Sequence, residues 1–226
     1  LPIGLFDMFI HVAIVKTHKG EDLTEVSRQV LKWILLPTMP LLIIILLFPS
    51  EILAFLFHKT YVKDFGVTQI LAISYFILSF SWVAERILAA KNKKLLRVAS
   101  NYLFASMFII LSLIFALAPR SSAEPNEVGS LASIALAYLI SSMLDASGKF
   151  ILVVTKAKVF FIGMDHMKIL GTGLLAGFVA YLLFPNNPLL FLPFFLFLYF
   201  AILWIIRIIR TKNLYDLRSN NETIEQ

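Results

Sequence analysis

Two short constellations carry the chemistry this sequence offers. Tyr138, Ser141 or Ser142, Asp145 and Lys149 recur at three- and four-residue intervals, so a helix would set them along one face. Asp145 and Lys149 are an acid-first i,i+4 pair, the order that best brings opposite charges together on a helix. Ser74, Ser81 and Glu85 share a second helical face, with Arg86 beside Glu85. Hydroxyls, carboxylates and cations striped along an apolar helix can hold a polar head group, relay a proton or gate a passage. Structural readings compete with each. Asp145 and Lys149 also fit a pair at an interface, with the lysine arm snorkelling outward. Glu85 also fits an interfacial charge paired with a nearby loop. Covalent catalysis lacks its constellations. His11, His18, His58 and His166 lie on separate segments without metal-ligand spacing, as plain loop residues would. P-loop, G-x-S-x-G and H-E-x-x-H patterns are missing. With no Cys, thiolate sites and disulfides are excluded. The expectation is no enzyme activity, no metal and no cofactor.

The elements that must position these residues follow from composition. The chain has 226 residues, of which 59% are hydrophobic and 15% charged, with a mean hydropathy of +0.85. Soluble domains carry about 45–50% apolar and about 25% charged residues, so the bilayer is the solvent that can take this surplus. A hydrocarbon core about 30 Å thick needs roughly 20 apolar residues in a helix. Residues 31–49, 67–88, 98–118, 129–154, 169–184 and 188–206 meet or approach that length. The reading is an all-α polytopic membrane bundle of about six transmembrane helices. Residues 1–15 read as the end of a preceding transmembrane helix, 16–210 as the six-helix bundle and 211–226 as a cytoplasmic tail. Asp22 and Glu25 suit the start of a surface helix that runs into the first span.

Individual spans carry further signals. Pro37 and Pro40 in the first span each remove a helical hydrogen bond and read as a hinge or as a static kink. The fourth span is rich in Ala, Ser and Gly, which lets helices approach closely; it is expected to be surrounded by protein. Gly173 and Gly177, with Gly171 nearby, form a close-packing face in the fifth. The sixth, almost all Phe, Leu and Ile, is expected at the periphery facing lipid.

Net charge +6 and a pI near 9.5 could suit nucleic acid, but the basic residues sit between apolar runs, as juxtamembrane anchors do; no nucleic-acid partner is expected. When loops alternate between two sides, one side holds only Lys59, Lys63 and Arg120. Every other Lys and Arg falls on the opposite side. That asymmetry predicts a multi-pass protein of the cytoplasmic membrane with its C-terminus inside.

Two stretches then point to a family. One is LPTMPLLIIILLFPSEILAFLFHKTYVKD, residues 36–64, following the His18 to Asp22 loop and a basic amphipathic stretch. The other is ILAISYFILSFSWVAERILAAKNKKLLRVASNY, residues 70–102. Their order resembles the C-terminal half of polysaccharide-type flippases of the MOP superfamily, which includes multidrug and peptidoglycan-lipid exporters. The chain departs from the family pattern at His58 and Lys91, where glycine is usual. The match covers residues 1–118, and the remainder by topology. The resemblance implies the last half of a transporter of 12–14 helices. It implies alternating access for a polyprenyl-diphosphate-linked glycan, with the lipid tail left among membrane lipids and the cavity completed by an N-terminal half.

The functional expectation is a flippase for a lipid-linked oligosaccharide or polysaccharide repeat unit, with a pathway through Ser81, Glu85, Arg86, Tyr138, Ser142, Asp145 and Lys149. A multidrug or small-solute antiporter of the same fold is one alternative, and an envelope glycosyl- or acyltransferase another. A non-transporting membrane scaffold also fits the composition. Among the pathway residues, Arg86 and Lys149 are the cations that could attract a diphosphate. Arg86→Ala in the full protein is expected to lower flipping and leave membrane insertion intact; unchanged flipping at normal expression would remove Arg86 from the pathway.

Overall fold

The computed structural model describes residues 23–56, 65–117, 127–185 and 187–206, and all regular structure among them is helical. The helices are α1 (Leu23–Leu47), α2 (Pro49–Leu56), α3 (Phe65–Ala90), α4 (Lys94–Leu117) and α5 (Glu127–Leu152). A π-helical turn (Val153–Ala157), α6 (Met164–Leu183) and α7 (Pro188–Ile205) follow. Six helices are long and apolar enough to cross a membrane, all but α2. The chain is an all-α polytopic bundle. It divides into two compact units, residues 1–166 and 167–226. The proposed caps at Asp22, the three histidines before Phe65 and the tail beyond residue 206 lie outside the described residues.

In the first unit, the expected surface segment and first span are one continuous helix, α1. Pro37 and Pro40 lie inside it without ending it, and Thr38 between them returns its hydroxyl to the Ile34 carbonyl at 2.8 Å. The chain breaks instead at Phe48 and Pro49, where α2 begins. Proline there cannot donate to the helix it follows, and Gln69 of α3 fills part of the gap by donating to the Leu46 carbonyl at 2.7 Å.

Helix α3 packs against both α1 and α5, and α5 packs against α4. Ser74, Ser79, Ser81 and Ala84 are among the buried residues of α3. Short side chains such as these let helices meet closely where lipid offers no hydrophobic drive. The α3–α4 turn closes through Asn92, which takes a left-handed backbone with φ 55°. The Lys93 N–H bonds the Leu88 carbonyl at 2.9 Å and the Asn92 N–H bonds that of Ala89 at 3.0 Å, the pairing that terminates a helix with its carbonyls satisfied.

The expectation that α5 is surrounded by protein is corrected. Ala135, Ala137, Ser141, Ser142, Asp145 and Lys149 are buried, while Ile134, Ile140, Met143, Leu144 and Ile151 face outward. Of the small residues, Ala135, Ala137, Ser141 and Ser142 lie on the packed side, while Ser147 and Gly148 are exposed. Helix α4 buries none of its described side chains.

The end of α5 winds into the π turn, and Lys158, left-handed with φ 55°, closes it through a bond to the Val153 carbonyl. The next element starts around His166, which the sequence reading treated as a plain loop residue. It is instead 2% exposed. Its Nδ1 accepts the Gly163 N–H at 2.7 Å, so its Nε2 carries the proton and donates to the Arg28 carbonyl of α1 at 2.9 Å. Arg28 donates to the Phe160 carbonyl at 3.1 Å, and Lys32 lies 3.7 Å from Asp165. A residue three positions into α6 thus caps the start of that helix, as in a capping box, and ties those first residues, which belong to the first unit, to α1. The residues joined here are ones that the alternation of basic loops assigns to the same side.

Helix α6 is longer than the expected span because it starts at Met164, still within the first unit, and the rest of it belongs to the second. Ile169, Thr172, Gly173, Ala176, Gly177 and Ala180 are buried on one face, as the glycine pattern requires, but Gly171 is exposed. Helix α7 opens with Pro188 and with Asn187, whose side chain accepts the Leu190 N–H at 3.3 Å. It is not wholly peripheral: Phe191, Phe195, Tyr199 and Leu203 form a fully buried stripe. Phe191 and Phe195 stack with centroids 5.4 Å apart.

His166→Ala removes both bonds and strips the start of α6 of its cap, at a cost of about 0.5–2 kcal/mol. Its melting temperature in detergent should fall well below that of Arg28→Ala, which keeps the backbone carbonyl. Equal melting of His166→Ala and the unaltered protein would show that this tie carries no stability.

Candidate functional site

Helices α3 and α5 run in the same direction, separated in the chain by α4, and lie in register. Ser81 pairs with Asp145, and one turn later Glu85 meets Lys149. Ser81 donates its hydroxyl proton to Asp145 Oδ2. Lys149 Nζ donates to the same Oδ2 at 2.9 Å and to Ser81 Oγ at 3.1 Å, and Glu85 Oε2 stands 3.8 Å away. The other oxygen of Glu85 accepts from Asn101 Nδ2 at 3.3 Å and lies 3.8 Å from Arg97 Nε. The Asp145 and Lys149 side chains are 2% and 4% exposed, against 23% for Glu85 and 35% for Arg97. The cluster is therefore graded, with an enclosed pair at its inner end and a partly open pair at its outer end.

The snorkelling reading of Asp145 and Lys149 is overturned. Lys149 folds back into the bundle because two hydrogen-bond acceptors, Asp145 Oδ2 and Ser81 Oγ, and the nearby Glu85 carboxylate meet its ammonium there. Attraction between opposite charges also strengthens as the surroundings become less polar.

The structure draws together Ser81, Glu85, Asp145 and Lys149 and separates the other expected pathway residues from them. Ser142, though buried, spends its hydroxyl on its own helix, at the Leu139 carbonyl 2.7 Å away. Tyr138 lies seven residues before Asp145, about 10 Å along the helix, among the rings of Tyr75, Phe104 and Phe108 at 5.9, 6.2 and 5.5 Å. Arg86 is half-buried and, one residue on, projects about 100° around α3 from Glu85. Pro37 and Pro40 belong to α1, which contributes no side chain to the cluster. The second cation at Glu85 is Arg97, which the sequence reading missed together with Asn101. The signal was present: a hairpin folded at Asn92 sets Glu85 opposite position 99, with Arg97 and Asn101 on either side.

Beside the enclosed pair, a cavity of about 340 Å³ opens between α4 and α5. Leu96, Ser100, Leu103, Phe104 and Met107 line it from α4, and Leu144, Asp145, Gly148, Lys149 and Leu152 from α5. Two carboxylates and two cations give the cluster no net charge, so its chemistry is exchange of partners. An anion can replace a carboxylate at Lys149, and a proton can neutralise one. Among the described residues, no group of three or more His, Cys, Asp or Glu side chains is placed to hold a metal ion.

Breaking a buried ion pair from one side costs about 3–5 kcal/mol, whereas replacing both partners by apolar groups is often neutral. Lys149→Met and Asp145→Leu should each lower thermal stability sharply, and the double variant should recover most of the loss. Additive losses in the double-mutant cycle would show that the two side chains are not an energetic unit.

Compared with protein-family models, curated proteins and solved structures, the chain matches none.

Proposed function

We propose that this chain is the C-terminal half of a membrane transporter that flips a lipid-linked oligosaccharide or polysaccharide repeat unit across the cytoplasmic membrane by alternating access. The observation that carries the reading is Lys149, an ammonium held inside an apolar bundle between Asp145 and Glu85, on the wall of a cavity. Ionisable groups at such depth are costly and mark transport pathways. The resemblance of residues 1–118 to polysaccharide-type flippases supplies the substrate class, a polyprenyl-diphosphate-linked glycan.

In this reading no covalent bond changes. With the site empty, Asp145 and Glu85 balance Lys149, and Glu85 balances Arg97. A diphosphate offers the ammonium a stronger acceptor, so binding releases the carboxylates and with them the link between α3 and α5. Leaving restores the internal pairs, which keeps the cation from trapping its cargo. The concentration of Lys and Arg in alternate loops supports a cytoplasmic C-terminus.

The burial of Asp145 favours a second reading, an ion-coupled multidrug or small-solute antiporter, because such coupling needs a carboxylate withdrawn from water. The full protein in proteoliposomes, given a fluorescent polyprenyl-diphosphate glycan, separates the two. Flipping should fall about tenfold or more in Lys149→Gln, as expected for loss of a charge-assisted hydrogen bond worth about 1.5–3 kcal/mol, with insertion unchanged. Glycan translocation absent from the unaltered protein, together with drug-driven collapse of a proton gradient that requires Asp145, would establish the antiporter instead.

A further inference from the structure

The cavity between α4 and α5 has a polarity that the transport reading does not use. Its walls are mainly the apolar side chains Leu96, Leu103, Phe104, Met107, Leu144 and Leu152. Its volume falls at the lower end of the range of small-molecule sites, about 300–1,000 Å³. Because α4, long and apolar enough to cross a membrane, buries none of its described side chains, the groove lies open on an apolar outer face.

Asp145 and Lys149 supply the polar end, and what Asp145 presents is an acceptor. Both of its hydrogen bonds, from Ser81 and Lys149, fall on Oδ2. Among the described residues no donor meets Oδ1, although the side chain is 2% exposed. Ser100, also on the wall, spends its proton on the Arg97 carbonyl at 2.8 Å and offers only its oxygen lone pairs. Lys149 donates to Asp145 and Ser81 and stands 3.8 Å from Glu85, and the surrounding charges balance. A charged guest, anionic or cationic, has to displace one of these internal pairs. A guest with hydroxyl donors completes Asp145 without displacing anything.

We propose that the α4–α5 groove binds one chain of a neutral, hydroxyl-headed amphiphile, whose hydroxyl donates to Asp145. The site does not depend on the transport reading, since binding is its whole content.

Gly148 makes it testable. A Cβ built there meets nothing within 4 Å, so larger side chains grow into the groove rather than into protein. The full protein in nanodiscs would be photolabelled with three probes sharing one diazirine-bearing chain: a monoacylglycerol, a lysophosphatidic acid and an alkyl trimethylammonium. Peptide mass spectrometry would locate the label. The monoacylglycerol should label the segments around Leu103, Met107 and Leu144 several-fold more than the other two. Gly148→Phe should abolish that labelling, and Gly148→Ala should leave it. Asp145→Asn, which replaces one acceptor oxygen by a donor, should erase the preference for the hydroxyl head. Leu152→Trp gives an independent block should Gly148→Phe fail to insert. Equal labelling by all three probes, or labelling that survives both blocks, would mean that the groove holds only bulk lipid chains. Preference for the anionic probe would mean that Lys149 governs the site. Either result overturns the proposal.

Discussion

An ammonium in an apolar helix bundle persists only where acceptors surround it, because transfer of an unpaired charge out of water costs several kcal/mol even after relaxation. Lys149 meets that condition through Asp145 on its own helix and Ser81 and Glu85 on α3. The requirement fixes more than one bond. It holds α3 and α5 in a parallel register, since a slip of one residue on either helix turns its partner about 100° away. It also demands close approach of the two backbones, and the small residues at their contact allow it. The polar cluster and the small-residue faces are thus two sides of one constraint.

A cluster of balanced charges differs from a hydrophobic contact in how it can come apart. A hydrophobic contact between α3 and α5 would hold under all conditions. A contact made of balanced charges can be exchanged, because an incoming anion or proton supplies what a carboxylate or cation gives up. Glu85 stands 3.8 Å from both Lys149 and Arg97 and so links α3 to α4 as well as to α5. At the His166 tie, by contrast, the partners are backbone groups of Gly163 and Arg28. Backbone dipoles do not titrate or dissociate from the chain, and this joint between α1 and the start of α6 has a structural character.

Much of the bundle was legible without coordinates. Apolar runs near 20 residues gave the six long helices, and the i,i+4 spacing of Asp145 and Lys149 survived as a contact at 2.9 Å. Boundaries moved where local chemistry acted: Pro49 ended α1 early, and the His166 cap began α6 ahead of its apolar run. Residue-level expectations were less secure. Ser142 and Tyr138 share the face of Asp145 on a helical wheel, yet one hydroxyl turns to its own backbone and the other residue sits among aromatic rings. Periodicity gives the side of a helix a residue lies on, and it cannot say which neighbour waits there.

The sequence by itself determined the solvent, the helices and the inventory of charges, because hydropathy and 3.6-residue periodicity are local properties of the chain. Which charges meet was decided only by tertiary structure. Ser81 and Asp145 are 64 residues apart, and no local rule pairs them. Arg97 took the place expected for Arg86 because the turn at Asn92 folded α4 back along α3. The side on which Lys149 points was likewise settled by packing, since the same i,i+4 pair serves equally at a wet interface. Only the presence of α3 at hydrogen-bonding distance made the interior the lower free-energy choice.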